Sequence, residues 1–90
     1  MENEIEVYAI AIMADEAQEK VKKLKEIGKR TGYVGVNIKY PMAFVLYRTR
    51  EDQAKAYKEF KRSFDKCGYV PKPAYIPEPK TGGTKDAKNV

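Results

Sequence analysis

Three segments of the chain follow the two-residue period of a β-strand, and this pattern requires a fold built around a sheet. Residues 33–39 and 43–49 are separated by Tyr40-Pro41, where proline interrupts strand pairing, so they predict a β-hairpin. Residues 4–13 carry apolar side chains on both sides, which is typical of a central strand. The sequence therefore predicts at least three strands, two of which are neighbours.

Two further segments have apolar residues at the three- and four-residue spacings of an amphipathic helix. Asp15 is the predicted N-cap of the first helix, and Gly28 or Gly32 its predicted end. The second helix is expected to begin at Thr49 or at the charged residues after it, and to end at Gly68. The predicted buried stripes are Ala14, Ala17, Val21, Leu24 and Ile27 in the first helix, and Ala54, Tyr57, Phe60, Phe64 and Cys67 in the second.

The composition changes after Gly68. Residues 70–79 hold four of the five prolines and predict at most an edge strand or a polyproline II arm. Whether this segment forms a fourth strand or covers the sheet is left open by the sequence. Residues 80–90 are polar and predict a flexible tail, because they have little apolar surface to bury. We therefore predict a single α+β domain over residues 1–79, followed by the tail 80–90.

The predicted order β-α-β-β-α-(β) is typical of the ferredoxin-like α+β sandwich. In that arrangement two helices cover one face of an antiparallel sheet and the other face stays open. The predicted helix-facing residues are Ile5, Val7, Ala9, Ala11, Val34, Val36, Ile38, Ala43, Val45 and Tyr47. The predicted open face carries Tyr8, Ile10, Ile12, Tyr33, Asn37, Lys39, Met42, Phe44, Leu46 and Arg48. An uncovered apolar patch of this size usually marks a contact surface.

The residue types present exclude several kinds of chemistry. The 90 residues include no histidine and one cysteine, so histidine-based catalysis, a disulfide framework and a Cys/His zinc site are excluded. Cys67 falls on a predicted apolar stripe and is expected to be a buried, inert thiol. No convergent set of titratable residues can be assembled, so we predict a protein that is not an enzyme and has neither metal nor cofactor.

The chain has no predicted membrane or export segment. Its longest apolar run, residues 7–14, has eight residues, against the roughly 20 that cross a bilayer. The start, Met1-Glu2-Asn3-Glu4, is acidic where a signal peptide is basic, which predicts a cytoplasmic protein. The net charge of +5 permits phosphate binding without requiring it.

One stretch of the sequence resembles a known family. Met42-Ala43-Phe44-Val45-Leu46-Tyr47 and the following Thr49-Arg50-Glu51-Asp52-Gln53-Ala54-Lys55-Ala56 resemble the third strand and second helix of the RNA recognition motif. Val7-Tyr8-Ala9 is similar to the start of the family's shorter motif on its first strand. The chain departs from the family at Tyr40 and Pro41, which replace a basic residue and a glycine.

This resemblance implies that Tyr8 and Phe44 stack on bases and that Lys39 and Arg48 reach phosphates. The first hypothesis is therefore a non-catalytic module that binds single-stranded nucleic acid, RNA or DNA. The alternative is a protein-binding module, such as a small phage or mobile-element inhibitor of a host enzyme or defence system, or a homodimer through the same face. The predicted contact residues for either are Tyr8, Ile10, Tyr33, Lys39, Met42, Phe44, Leu46 and Arg48.

The two hypotheses differ in their expected response to salt. Nucleic-acid binding weakens steeply as salt rises because phosphate contacts release counterions, whereas an aliphatic protein interface weakens little. Phe44→Ala is expected to harm either mode, and Lys39→Ala with Arg48→Ala chiefly the first. Titration with single-stranded oligonucleotides at low salt checks this, and no binding there removes the nucleic-acid hypothesis. A concentration-independent monomer in sedimentation removes the homodimer.

Overall fold

The computed structural model describes residues 3–78. These residues fold into an antiparallel sheet with three helices packed against it. The predicted tail 80–90 lies outside the described residues. The elements are β1 (Glu4–Met13), α1 (Ala14–Glu19), α2 (Val21–Thr31), β2 (Tyr33–Lys39), β3 (Met42–Tyr47), α3 (Arg50–Ser63), β4 (Cys67–Tyr69) and β5 (Ala74–Pro77). The predicted α+β class and the hairpin of β2 and β3 are confirmed.

The sheet has the strand order β2-β3-β1-β4, and β5 also pairs with β1. The backbone carbonyls of Asn3 and Ala9 accept hydrogen bonds from Glu78 (2.8 Å) and Val70 (3.2 Å). Carbonyls six residues apart in an extended strand point to the same edge. β4 and β5 therefore follow one another along one edge of β1, as an edge strand that is interrupted between them.

The main core lies between the sheet and the helices. Its fully buried members include Ile10 and Tyr47 from the sheet and Phe60 from α3. Burying a side chain of this size stabilises the fold by about 1.5–3 kcal/mol. The complete cluster is Ile10, Ile12, Ala14, Ala17, Ile27, Ala43, Val45, Tyr47, Ala56, Phe60 and Phe64.

The predicted assignment of faces is wrong for β1. Ile10 pairs with Val45 and Ile12 with Ala43, so both isoleucines face the helices rather than the open side. Val7 and Ala9 belong to a second buried cluster, which contains no helix residue. Because β1 is apolar on both sides, its own alternation could not distinguish the two faces.

The assignment is also wrong at the start of β2. A register shift between Tyr33 and Gly35 breaks the regular alternation there. Tyr33 therefore packs against the helix-side core, with its ring centroid 6.4 Å from that of Tyr47. Val34, predicted to face the helices, packs instead with the second cluster.

The first predicted helix is two helices. The chain leaves helical geometry at Lys20, where φ is −114° and ψ is 42°, so α1 and α2 are separate helices, a break that the sequence did not indicate. The N-cap of α1 is Met13 and not Asp15. α2 ends at Gly32, whose φ of 66° is a left-handed conformation that glycine adopts without strain.

The second predicted helix is shorter at its C-terminus than expected. Thr49 caps α3, because its hydroxyl accepts a hydrogen bond from the Asp52 backbone N–H at 3.0 Å. The helix ends at Ser63, so Cys67 and Gly68 lie in β4 and not on a helical stripe. Ala54 is exposed, and the buried positions of α3 are Gln53, Ala56 and Phe60.

The burial of the Tyr47 phenol can be tested by measuring protein stability at alkaline pH. Burial raises the pKa of its phenol to about 12, and the Thr31 hydroxyl only partly offsets this. The unfolded state loses that proton near the ordinary pKa of 10, so the free energy of unfolding falls as pH rises from about 10 to 12. We expect this loss to be smaller in Tyr47→Phe, measured by denaturant titration across that range. Tyr75→Phe, at an exposed tyrosine, is the control; equal losses in all three proteins would contradict the assignment.

Candidate functional site

A groove lies on the face of the sheet opposite the helices. Its volume is about 220 Å³. Side chains from four strands and from the residue after β4 line it, and most of them are apolar. We call this the open-face groove; its lining residues are Ala9, Asn37, Lys39, Phe44, Leu46, Val70, Ala74 and Ile76.

The groove exists because the sheet curls. Asn37 and Ile76 line the same groove, although β3 and β1 lie between their strands. On a flat sheet, three strand spacings would separate them by about 14 Å. Val7 is completely buried on this face although none of the described helices, α1 to α3, packs against it, so neighbouring strands curve over it. The curvature turns a flat sheet face into a concave surface with an apolar floor.

The floor of the groove is a small second core. Val7, Ala9 and Leu46 are buried in it. Phe44 and Ile76 pack against them and keep part of their surface exposed. A buried floor under half-exposed apolar walls is the geometry of a preformed binding site.

Gln53 of α3 holds one wall of the groove in position. Its side-chain amide is fully buried, and its Nε2 donates to the carbonyls of Ala9 (2.8 Å) and Val70 (2.9 Å). Regular strand pairing is interrupted just after Val70, and the glutamine supplies hydrogen bonds across that gap. Nearby, the Arg50 guanidinium donates to the Pro71 carbonyl at 2.8 Å. The helix layer therefore anchors the edge that forms the groove wall.

Sequence reasoning missed Gln53 because polar residues were left out of the helical stripe. Its position nevertheless gave a signal, since Gln53, Ala56 and Phe60 have the spacing of one buried helix face. A glutamine at such a position needs a polar partner when it is buried.

Four of the eight predicted contact residues belong to the open side of the sheet. Lys39, Phe44 and Leu46 line the groove, although Leu46 is mostly buried. Met42 pairs with Lys39 across the hairpin and so shares its face. Arg48 is exposed and follows β3 by one residue, in a bend outside the strand, and it does not line the groove.

The other three predicted contact residues lie on the helix side. Ile10 is fully buried in the main core, and Tyr33 packs against it. Tyr8 pairs with Tyr47, and its ring lies 4.7 Å from the Arg50 guanidinium carbon in a cation–π contact. Burial, followed by the neighbouring Glu6 carboxylate, raises the pKa of the Tyr8 phenol. Tyr8 and Phe44 therefore do not form one stacking surface.

The charges on the strands divide between the two faces. Lys39 is exposed at the rim of the groove. Glu4 and Glu6 share the helix side with Tyr8, because residues two apart in β1 point the same way. Among the described strands, Lys39 is therefore the one charged residue that lines the groove.

A larger crevice, of about 800 Å³, lies between the start of α2 and the end of α3. Charged side chains dominate its lining, and some of them pair with each other. Lys23 contacts Glu26 at 3.2 Å within the lining, and Lys20 contacts Glu16, which lies outside the lining, at 3.1 Å. Long exposed side chains define this crevice, so its shape is less fixed than that of the open-face groove.

Residues 3–78 contain no group of three or more acidic, cysteine or histidine side chains that could hold a metal ion. Burial raises the pKa of the Cys67 thiol, which opposes formation of a nucleophilic thiolate. Within the same residues, no helix is long and apolar enough to cross a membrane. No protein-family model, curated protein or solved structure matches the chain.

Gln53 is predicted to be essential for the groove wall. Gln53→Glu replaces an amide donor with a carboxylate that cannot donate to the two carbonyls when it is ionised. We expect a loss of about 3 kcal/mol in unfolding free energy at neutral pH, because a buried charge is left without a partner. Gln53→Met keeps a similar volume and is expected to lose less. Denaturant titration measures both, and a Glu variant as stable as the Met variant would contradict the role assigned to the amide.

Proposed function

We propose that this protein is a non-catalytic protein-binding module that receives an apolar side chain of its partner in the open-face groove. The observation that carries the proposal is the groove itself, which is largely apolar and is covered by none of the helices of residues 3–78. Apolar cavities of about 150 Å³ already hold a molecule the size of benzene. A groove of about 220 Å³ has room for one large aliphatic or aromatic side chain.

The positions of the aromatic residues favour a protein partner over nucleic acid. Single-stranded nucleic acid binds where successive bases stack on several aromatic rings. Phe44 is the one aromatic residue that lines the open-face groove, whereas Tyr8 and Tyr33 pack on the other side of the sheet. Lys39 and Asn37 beside Phe44 support nucleic-acid binding as the second candidate, with a single stacking position.

We also propose that the fold is ferredoxin-like. With β4 as the closing strand, the chain follows the β-α-β-β-α-β order of that fold, and its first helical segment is split into α1 and α2. In this proposal, the chain resembles the RNA recognition motif in the order of its strands and helices. A module of this kind with a single cysteine suits the cytoplasm, and inhibition of a host enzyme or defence system is one use of it.

Phe44→Glu tests the proposal by placing a charge in the groove. Peptides are selected from a random 12-residue display library on the immobilised full chain, and the affinities of enriched peptides are then measured by fluorescence anisotropy. We expect Phe44→Glu to weaken binding at least about tenfold, because an ionised carboxylate is costly to bury in an apolar groove.

Ile38→Glu is the matched control. Ile38 is exposed, lies in the same sheet and receives the same charge, but it faces the helix side in register with Ala43. We expect it to bind the peptides as the unmodified chain does, once circular dichroism confirms that both variants fold. Equal weakening by both variants, or none by Phe44→Glu, would contradict a groove site. Binding of single-stranded oligonucleotides without any peptide enrichment would favour the second candidate.

A further inference from the structure

We propose that two copies of this chain pair along β2, antiparallel and about a two-fold axis at Asn37, so that their sheets join edge to edge. The pairing concerns the free edge of β2 and not the occupant of the open-face groove. It therefore stands or fails independently of the proposed function.

The outer edge of β2 is open to another strand. β2 lies at the end of the strand order, and β3 is its one partner among the described strands. Its other edge therefore presents unpaired backbone N–H and C=O groups. Proteins often protect such an edge with proline, a bulge or several charges. Over Gly35–Lys39 the pairing with β3 is regular, proline is absent, and Lys39 is the single charge.

The side chains beside this edge are apolar and uncovered. Val36 and Ile38 pair with Val45 and Ala43 of β3, so they share the helix side of the sheet. The helices nevertheless leave Val36 38% exposed and Ile38 51% exposed. Apolar side chains next to an unpaired edge favour the addition of another strand, because the addition removes their surface from water.

The stretch Gly35–Lys39 is complementary to itself, which favours a second copy as the added strand. Asn37 is its midpoint, so an antiparallel pair centred there uses the whole regular stretch. Val36 of each copy then lies opposite Ile38 of the other, on the helix side. The two Asn37 side chains meet at the axis on the open side, where each amide can both donate and accept. Apolar residues therefore meet apolar residues, and amide meets amide.

The positive charge of Lys39 is compatible with this register. Lys39 of each copy lies opposite Gly35 of the other, and no described atom lies within 4 Å of the space that a Cβ on Gly35 would occupy. The aliphatic stem of the lysine therefore has room to cross the glycine. Each Lys39 is two residues from the axis, which puts the two lysines about 14 Å apart along the strands. That separation exceeds the Debye length of about 8 Å at physiological salt, so their repulsion is largely screened.

Paired substitutions at residues 36 and 38 test this register. We expect the full chain to pass from monomer to dimer between about 1 μM and 1 mM in sedimentation velocity. Val36→Lys and Ile38→Glu each place a charge opposite an apolar residue at two symmetric points of the dimer. Each variant alone is therefore expected to dimerise at least about tenfold more weakly.

Mixing the two variants is expected to restore the dimer. In a mixed pair the introduced lysine lies opposite the introduced glutamate, and the other contact is the original one between Val36 and Ile38. We expect the mixture to dimerise about tenfold more tightly than either variant alone, because one apolar contact returns and opposite charges meet at the other. This recovery depends on the register, since it requires residue 36 of one copy to face residue 38 of the other.

Val21→Lys is the matched control, because Val21 of α2 is 40% exposed and receives the same charge as Val36. It is expected to dimerise as the unmodified chain does, once circular dichroism confirms that each variant folds. A chain that stays monomeric up to about 1 mM would overturn the pairing. Equal weakening by Val21→Lys and Val36→Lys, or a mixture no tighter than its components, would also overturn it. A dimer that Phe44→Glu disrupts and Val36→Lys does not would overturn it in favour of contact through the open face.

Discussion

The register between β1 and β3 determines which side of the sheet is core and which is groove. β1 is apolar on both sides, so a slip of one residue would exchange the two sets of side chains. In the observed register, Ile10 pairs with Val45 and Ala9 pairs with Leu46. The larger Ile10 side chain therefore packs against the helices, and the smaller Ala9 side chain lies in the groove floor. The small side chain at position 9 also leaves room above it. The open-face groove is therefore a consequence of strand register as much as of curvature.

Gln53 joins the two layers of the molecule. It belongs to the buried face of α3, yet its hydrogen bonds go to the backbone of the sheet at the interrupted edge. The Gln53 Nε2 is paired with both carbonyls, whereas its Oε1 is buried without a hydrogen-bond partner among the described residues. The two bonds from Nε2 favour one geometry of this edge over apolar alternatives. The position of the groove wall thus depends on the helix layer that lies on the opposite side of the sheet.

The sequence predicted the secondary-structure elements better than it predicted the side of the sheet on which each residue lies. The hairpin and the Thr49 cap followed from local signals, namely two-residue alternation around Pro41 and a hydroxyl before charged residues. The face of Ile10 depends on pairing with a distant strand, and that of Tyr33 on a local register shift, which alternation does not show. For the site, Phe44 and Lys39 came from the regular strands, whereas Gln53, Val70 and Ile76 required the tertiary arrangement.

The proline-containing edge also limits how the protein can associate with itself. Pro71, Pro73 and Pro77 lack backbone donors, so the β4–β5 edge is a poor template for another strand. The opposite edge, β2, has no proline over Tyr33–Lys39, and its Val36 and Ile38 are exposed. Strand addition is thus directed to β2 alone among the described strands. If two copies paired through their β2 strands, neither copy would keep a proline-free edge for a third. The assembly would then stop at a dimer instead of growing into a fibre.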